Sequence, residues 1–212
     1  MPKVWPLLYQ GLDDYLLKVT PEREPLLKEM EALAKQKDFP IIGPLVGRFL
    51  YQLATLAKAR RILELGSGYG YSAFWFARAI GARGHIFCTE GSEENARLAR
   101  DFFKHGKIKT KIEYRIGDAL KLAAKIPGKF DIILNDIDKW EYPAVIPFAE
   151  RKLKKGGVLV TDNLLWSARI LDENPDKDTA GILEYTQKLY ANKNFFTTIL
   201  PMRDGISFSI RR

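Results

Sequence analysis

Ile62-Leu63-Glu64-Leu65-Gly66-Ser67-Gly68-Tyr69-Gly70-Tyr71-Ser72 decides how the rest of the chain is read. An apolar β-type run ends in a turn with glycine at alternate positions, and Tyr71–Ile80 continues with helical spacing. The stretch therefore predicts strand, tight turn, helix. Glycine lets the backbone turn sharply and lets a ligand come close to its N–H groups. The helix that follows offers its positive N-terminus to the same place.

Working outward, short apolar runs alternate with helical stretches from about Arg60 onward. Strands are predicted at Arg61–Leu65, His85–Thr89, Lys111–Ile116, Phe130–Asn135 and Val158–Thr161. Helices are predicted at Tyr71–Ile80, Glu93–Lys104, Ala119–Lys125, Pro143–Leu153 and Thr179–Ala191, with Asp172–Asp178 as an exposed loop. Gly156-Gly157 after Lys154-Lys155 marks a helix end. Phe195–Leu200 and Ile206–Ile210, joined across Pro201–Gly205, form an antiparallel edge hairpin. Before Arg60 the pattern is helical: Pro6–Val19, Pro21–Lys37 and Leu45–Ala57. The expected fold is α/β, a Rossmann-like, doubly wound and mostly parallel sheet. Residues 1–59 form an N-terminal helical extension on a core of 60–212, and 1–212 make one domain.

At 212 residues with 46% apolar content, the chain is long enough to enclose a real core, and disorder is not the class to start from. No run of 18 apolar residues occurs, and the first residues lack the basic-then-apolar order of a secretory leader. A soluble cytoplasmic protein, with no membrane partner, is the expectation. The single cysteine, Cys88, lies in the apolar run His85–Cys88 and reads as a small core residue. Lys and Arg exceed Asp and Glu, for a net charge of +8, but the excess is spread along the chain. It is compatible with a nucleic-acid partner without establishing one.

Two ligands suit the glycine turn: a dinucleotide, or the amino-acid end of S-adenosylmethionine. A dinucleotide fingerprint asks for glycine three residues after Gly68, where close helix–strand packing needs it. Tyr71 stands there instead. Glu64, two residues before Gly66, would order the turn around a cationic ligand. Glu90, ending the second strand, would accept both ribose hydroxyls of an adenosine. Gly117-Asp118-Ala119 follows the third strand and would meet the adenine. Three sites after three successive strands thus agree on one adenosine-shaped ligand.

Asp131-Ile132-Ile133-Leu134-Asn135-Asp136-Ile137-Asp138-Lys139 sets an apolar strand directly before a polar cluster, and Val158–Asn163 repeats the arrangement. Ligands of open parallel sheets bind outside the carboxyl ends of the strands. Asp136, Asp162 and Asn163 would meet at the rim that holds the glycine turn. Two carboxylates and an amide oxygen suit Mg²⁺, Mn²⁺ or Ca²⁺ and not Zn²⁺. The alternative is that these acids only end strands and cap helices.

These motifs resemble the cation-dependent O-methyltransferases, the family of catechol and caffeoyl-CoA O-methyltransferases and their bacterial relatives. The resemblance runs from about Ile41 to the C-terminus. It rests on Leu63–Gly66 with Gly70-Tyr71-Ser72, on Gly117-Asp118-Ala119, on Asp136 with Lys139, on Thr161-Asp162-Asn163 and on Asp204-Gly205. It implies Asp136, Asp162 and Asn163 as metal ligands and Lys139 as general base. It implies S-adenosylmethionine held by Gly66, Ser67, Gly68, Ser72, Glu90, Asp118, Ala119 and Asp136, with Glu64 and the backbone near Ile42-Gly43 closing over it. It further implies a homodimer. Asn135 departs from the family, whose members often carry Ile or Leu there. Trp140 and Trp166 are candidate aromatic walls of an acceptor pocket or core residues.

The expected reaction is methyl transfer to a hydroxyl of a small catechol-like or phenolic acceptor. An alternative keeps the chemistry and makes a tRNA hydroxyuridine the acceptor, although no recognisable RNA-binding module or aromatic-interleaved basic run is present. A nicotinamide-dependent oxidoreductase and a non-catalytic adenosine-binding module are the readings from other classes.

Overall fold

The computed structural model describes residues 11–212. Helices α1 (Leu12–Val19), α2 (Pro25–Lys37) and α3 (Gly43–Leu56) precede the sheet. The core then alternates β1 (Arg61–Leu65), α4 (Tyr71–Ile80), β2 (His85–Glu90), α5 (Glu93–His105), β3 (Lys111–Ile116), α6 (Ala119–Ala124), β4 (Phe130–Asn135), α7 (Tyr142–Lys152) and β5 (Leu153–Thr161). Helix α8 (Lys177–Ala191) and the strands β6 (Phe195–Leu200) and β7 (Ile206–Arg211) end it.

The sheet order is β3-β2-β1-β4-β5-β7-β6. β1 to β5 are parallel, and β7 runs antiparallel between β5 and β6. This is the expected α/β architecture with its antiparallel edge. Central strands are covered on both faces, which is why β1 and β4 are apolar almost throughout. Ile62 and Ile132 face one core with Met30 of α2, Leu50 of α3 and Phe74 of α4. Leu63 and Ile133 face the other, with Val145 of α7 and Ile182 of α8.

Several boundaries differ from the sequence reading. The predicted helix Pro6–Val19 is described only from Leu12, its first residues lying outside the described range. α2 starts at Pro25, not Pro21, because the residue before a proline is pushed out of the helical region while proline itself suits the first turn. Gly156-Gly157 does not end a helix. α7 stops at Lys152, and the glycines fall inside β5, where the pairing jumps from Phe130↔Leu153 to Ile132↔Val158 and the residues between are looped out. Among the described residues no helix is long and apolar enough to cross a membrane.

Candidate active site

A cavity of about 570 Å³ opens at the carboxyl ends of β1 to β4. It sits where the strand order reverses between β1 and β4, the place at which open α/β sheets bind ligands. Gly66, Ser67 and Gly68 of the turn, Ser72 of α4 and Glu90 line it. So do Asp118, Ala119, Asp136 and Lys139, while Ile42 closes it from the N-terminal side. Gly66 is obligatory: its φ is 79°, and a Cβ there would stand 2.3 Å from the Asp136 carbonyl oxygen. The turn can therefore pass close to the end of β4 only without a side chain.

Glu64 lies behind the glycine turn, with Ser72 and Ser67 acting on its carboxyl. It is fully buried and absent from the cavity wall, because alternation along β1 turns it to the face it shares with Ile62 and, across the sheet, Cys88. The Cys88 thiol lies 3.7 Å from Oε2, and Oε1 has no hydrogen-bond partner among the described residues. Burial pushes this carboxyl up to about 7. Glu90 meets the turn directly, accepting the Gly68 N–H at 2.9 Å on Oε2 and the Ser92 N–H and Asn95 Nδ2 at 3.0 Å on Oε1. A carboxylate offers about four lone-pair sites, so capacity remains for a ligand. Asp118 lines the cavity but also caps α6, accepting the Lys121 N–H at 2.9 Å.

Backbone pairing fixes the acidic rim. The Asp136 N–H donates to the Leu65 carbonyl at 2.9 Å, and the Asp162 N–H to the Asn135 carbonyl at 3.2 Å. Asp162 is 3% exposed, and its Oδ1 has no hydrogen-bond partner among the described residues. Burial, and then the negative charge of Asp136, push the Asp162 carboxyl up to about 7. Burial also raises Asp136, against the opposing pull of Lys139. Lys139 Nζ donates to Asp136 Oδ1 at 2.9 Å and to the Ile137 carbonyl at 3.3 Å. It lies 5.4 Å from the Tyr142 ring and 5.7 Å from the Trp166 ring. Asn163 adopts φ 61° and donates from Nδ2 to Asp204 Oδ2 at 3.2 Å. Asp162 and Asn163 thus flank the cavity without lining it. Trp140 is not on its wall either; its ring is covered by Lys177 Nζ at 3.6 Å.

The sequence reading missed the segment Phe39-Pro40-Ile41, which lines the cavity beside Ile42. The Phe39 ring packs 5.1 Å from that of Tyr69 in the glycine turn. Two tyrosines tie the turn to α2: Tyr69 donates to the Met30 carbonyl at 3.0 Å, and Tyr71 to Glu31 Oε1 at 2.7 Å. Glu31 is in turn held by Arg23 at 2.6 Å. The only local signal was the aromatic-proline pair ahead of α3, which has no fixed spacing to the turn.

A glycine turn, an acid at the end of the next strand and a second acidic rim define an enzyme that seats an adenosine cofactor beside a polar acceptor site. The chain belongs to the O-methyltransferase family, which matches residues 18–212, and is an S-adenosylmethionine-dependent O-methyltransferase. It is 30% identical to the catechol O-methyltransferase of Niastella koreensis, over 96% of this chain and 97% of that one. It is 28% identical to caffeoyl-CoA O-methyltransferase 2 of Populus trichocarpa, over 95% of this chain and 88% of that one. The crystal structure of the Bacillus cereus O-methyltransferase in complex with SAH superposes with a TM-score of 0.86 at 27% identity, covering 95% and 97%. The nicotinamide reading falls with this, as the buried Tyr71 in the third-glycine place had suggested.

Proposed function

We propose that this enzyme methylates a hydroxyl of a small catechol-like or phenolic acceptor with the help of a divalent cation held by Asp136, Asp162 and Asn163. The observation that carries the cation is Asp162: a carboxylate oxygen buried without a partner among the described residues, beside a second carboxylate. Asp136 is paired with Lys139, but its charge beside the buried Asp162 carboxylate is costly unless a cation joins the two. Among the described residues no group of three or more His, Cys, Asp or Glu side chains is arranged to hold a metal, so the donor set depends on the Asn163 amide. Two carboxylates and an amide oxygen fit Mg²⁺, Mn²⁺ or Ca²⁺. When bound, such a cation would lower the pKa of a hydroxyl it ligates and orient neighbouring acceptor oxygens.

The chain's own groups supply the rest. Lys139 Nζ, held by Asp136 and the Ile137 carbonyl at the cavity wall, is the base that takes the hydroxyl proton. The acceptor oxygen attacks the methyl carbon, the C–S bond breaks as the C–O bond forms, and S-adenosylhomocysteine leaves. The Tyr142 and Trp166 rings beside Nζ keep water from the base. Gly66, Ser67, Gly68 and Ser72 seat the amino-acid end of the donor, and Glu90 takes its ribose hydroxyls.

The test is methyl transfer from labelled S-adenosylmethionine to catechols, phenylpropanoid esters and total tRNA, with and without EDTA. Turnover on a phenolic acceptor that EDTA abolishes and Mg²⁺ restores is the expected result. Full turnover by protein shown to be metal-free overturns the cation, and methylation of tRNA alone overturns the acceptor.

A further inference from the structure

Asn163 is the member of the proposed donor set whose value depends on how a planar group is turned. An amide binds a hard cation through its oxygen and not through its –NH₂. Half a turn about χ2 exchanges the two atoms at almost no steric cost, so something must choose between them.

The turn between β6 and β7 makes that choice. Asn163 Nδ2 donates to Asp204 Oδ2 at 3.2 Å. A carboxylate carries only acceptors, so this contact exists with the –NH₂ toward Asp204 and with Oδ1 on the opposite branch. Asp204 is itself held in place. Its Oδ1 accepts the Ser167 N–H, and its carbonyl accepts the Leu165 N–H at 2.8 Å. The Gly205 carbonyl accepts the Leu164 N–H at 2.9 Å. Two turns far apart in sequence are thus laced together at the rim. The laced segment holds Asn163, Trp166, Ser167 and Ala168 at φ 61°, 48°, 50° and 65°. Non-glycine residues stay in that sparsely populated region only where their surroundings impose it.

We infer that Asp204 is a positioning residue, which turns the Asn163 amide so that its oxygen faces the cation. The inference rests on the cation proposed above.

Mn²⁺ binding to the full chain, followed by loss of the free-ion EPR signal, tests it. Wild-type protein is expected to bind Mn²⁺, and Asp204→Asn, whose own amide accepts either orientation of Asn163, to bind it about 10- to 100-fold more weakly. In an Asn163→Asp background both side-chain atoms are oxygens and no orientation is needed, so adding Asp204→Asn is expected to cause no further loss. A general collapse of the turn would lower affinity in both backgrounds. Equal losses in the two backgrounds, or an Asp204→Asn affinity within about twofold of wild type, overturn the positioning role and leave the cation standing. No Mn²⁺ binding by the wild type removes the cation and the inference together. If Asp204→Asn does not fold, the wild type still answers. Its Asn163 –NH₂ protons, assigned by their loss in Asn163→Asp, are expected to show one hydrogen-bonded, downfield resonance that persists when Mg²⁺ is added. Absence of that resonance overturns the role.

Discussion

Glu64→Gln should make the cofactor-free protein more stable at pH 8 and less stable at pH 4.5. The Glu64 carboxyl is fully buried and titrates at about 7 in the fold, against an ordinary value of 4.5. Below 4.5 it is protonated in both folded and unfolded chains, and the fold bears no penalty. Between 4.5 and about 7 the unfolded chain gives up the proton while the fold keeps it, so stability falls by ~1.4 kcal/mol per pH unit. Across that window the loss is ~3 kcal/mol, and it levels off above it. Gln is neutral throughout and escapes this loss. Among the described residues its –NH₂ finds no hydrogen-bond partner in the place of Oε1, which costs ~1 kcal/mol at every pH. The variant should therefore lie ~1 kcal/mol below wild type at pH 4.5 and ~2 kcal/mol above it at pH 8. Urea denaturation of both proteins without cofactor, at pH 4.5, 6 and 8, measures this difference. A difference that stays flat across the three pH values refutes the reasoning, because only a buried proton makes it slope.

Lys139→Ala should lower turnover ~10²–10⁴-fold while leaving S-adenosylmethionine affinity, measured by calorimetry, near that of wild type; unchanged turnover would take the base role away from Lys139. Gly181→Ala on α8 should act on the same group from behind. A Cβ at 181 would stand 2.5 Å from the Lys139 carbonyl oxygen and 2.6 Å from Trp140 Cα, both backbone atoms that cannot swing aside. Overpacking of ~1–3 kcal/mol is partly offset by the ~1 kcal/mol helix preference of alanine, which leaves a loss of up to ~2 kcal/mol and a melting temperature lower by up to about 8 °C. Displacing the Lys139 turn by about 1 Å should also cost turnover ~10²-fold; full activity at an unchanged melting temperature would show that the turn is free to move.

Most of the site was legible because it lies in unbroken stretches at strand ends. The glycine turn, Glu90, Gly117–Ala119, Asp136 with Lys139, and Asp162-Asn163 each follow an apolar strand, so their shared rim follows from parallel pairing alone. Glu64 was also legible, but its depth was not. Alternation puts Glu64 on the face of Ile62, but only the packing of Met30, Leu50 and Phe74 against that face shuts it away from solvent.

Sequence alone determined the order of strands and helices along the chain, the turn that excludes a third glycine, and the acids that follow the strands, because these are properties of short segments and their periodicity. Only the tertiary structure decided that Phe39-Pro40-Ile41 closes the cavity, that Gly181 seats the Lys139 turn, and that Asp204 meets Asn163. Each of these joins residues dozens of positions apart or more. Such contacts are set by the packing of whole elements against the sheet, and no local pattern of residue types encodes them.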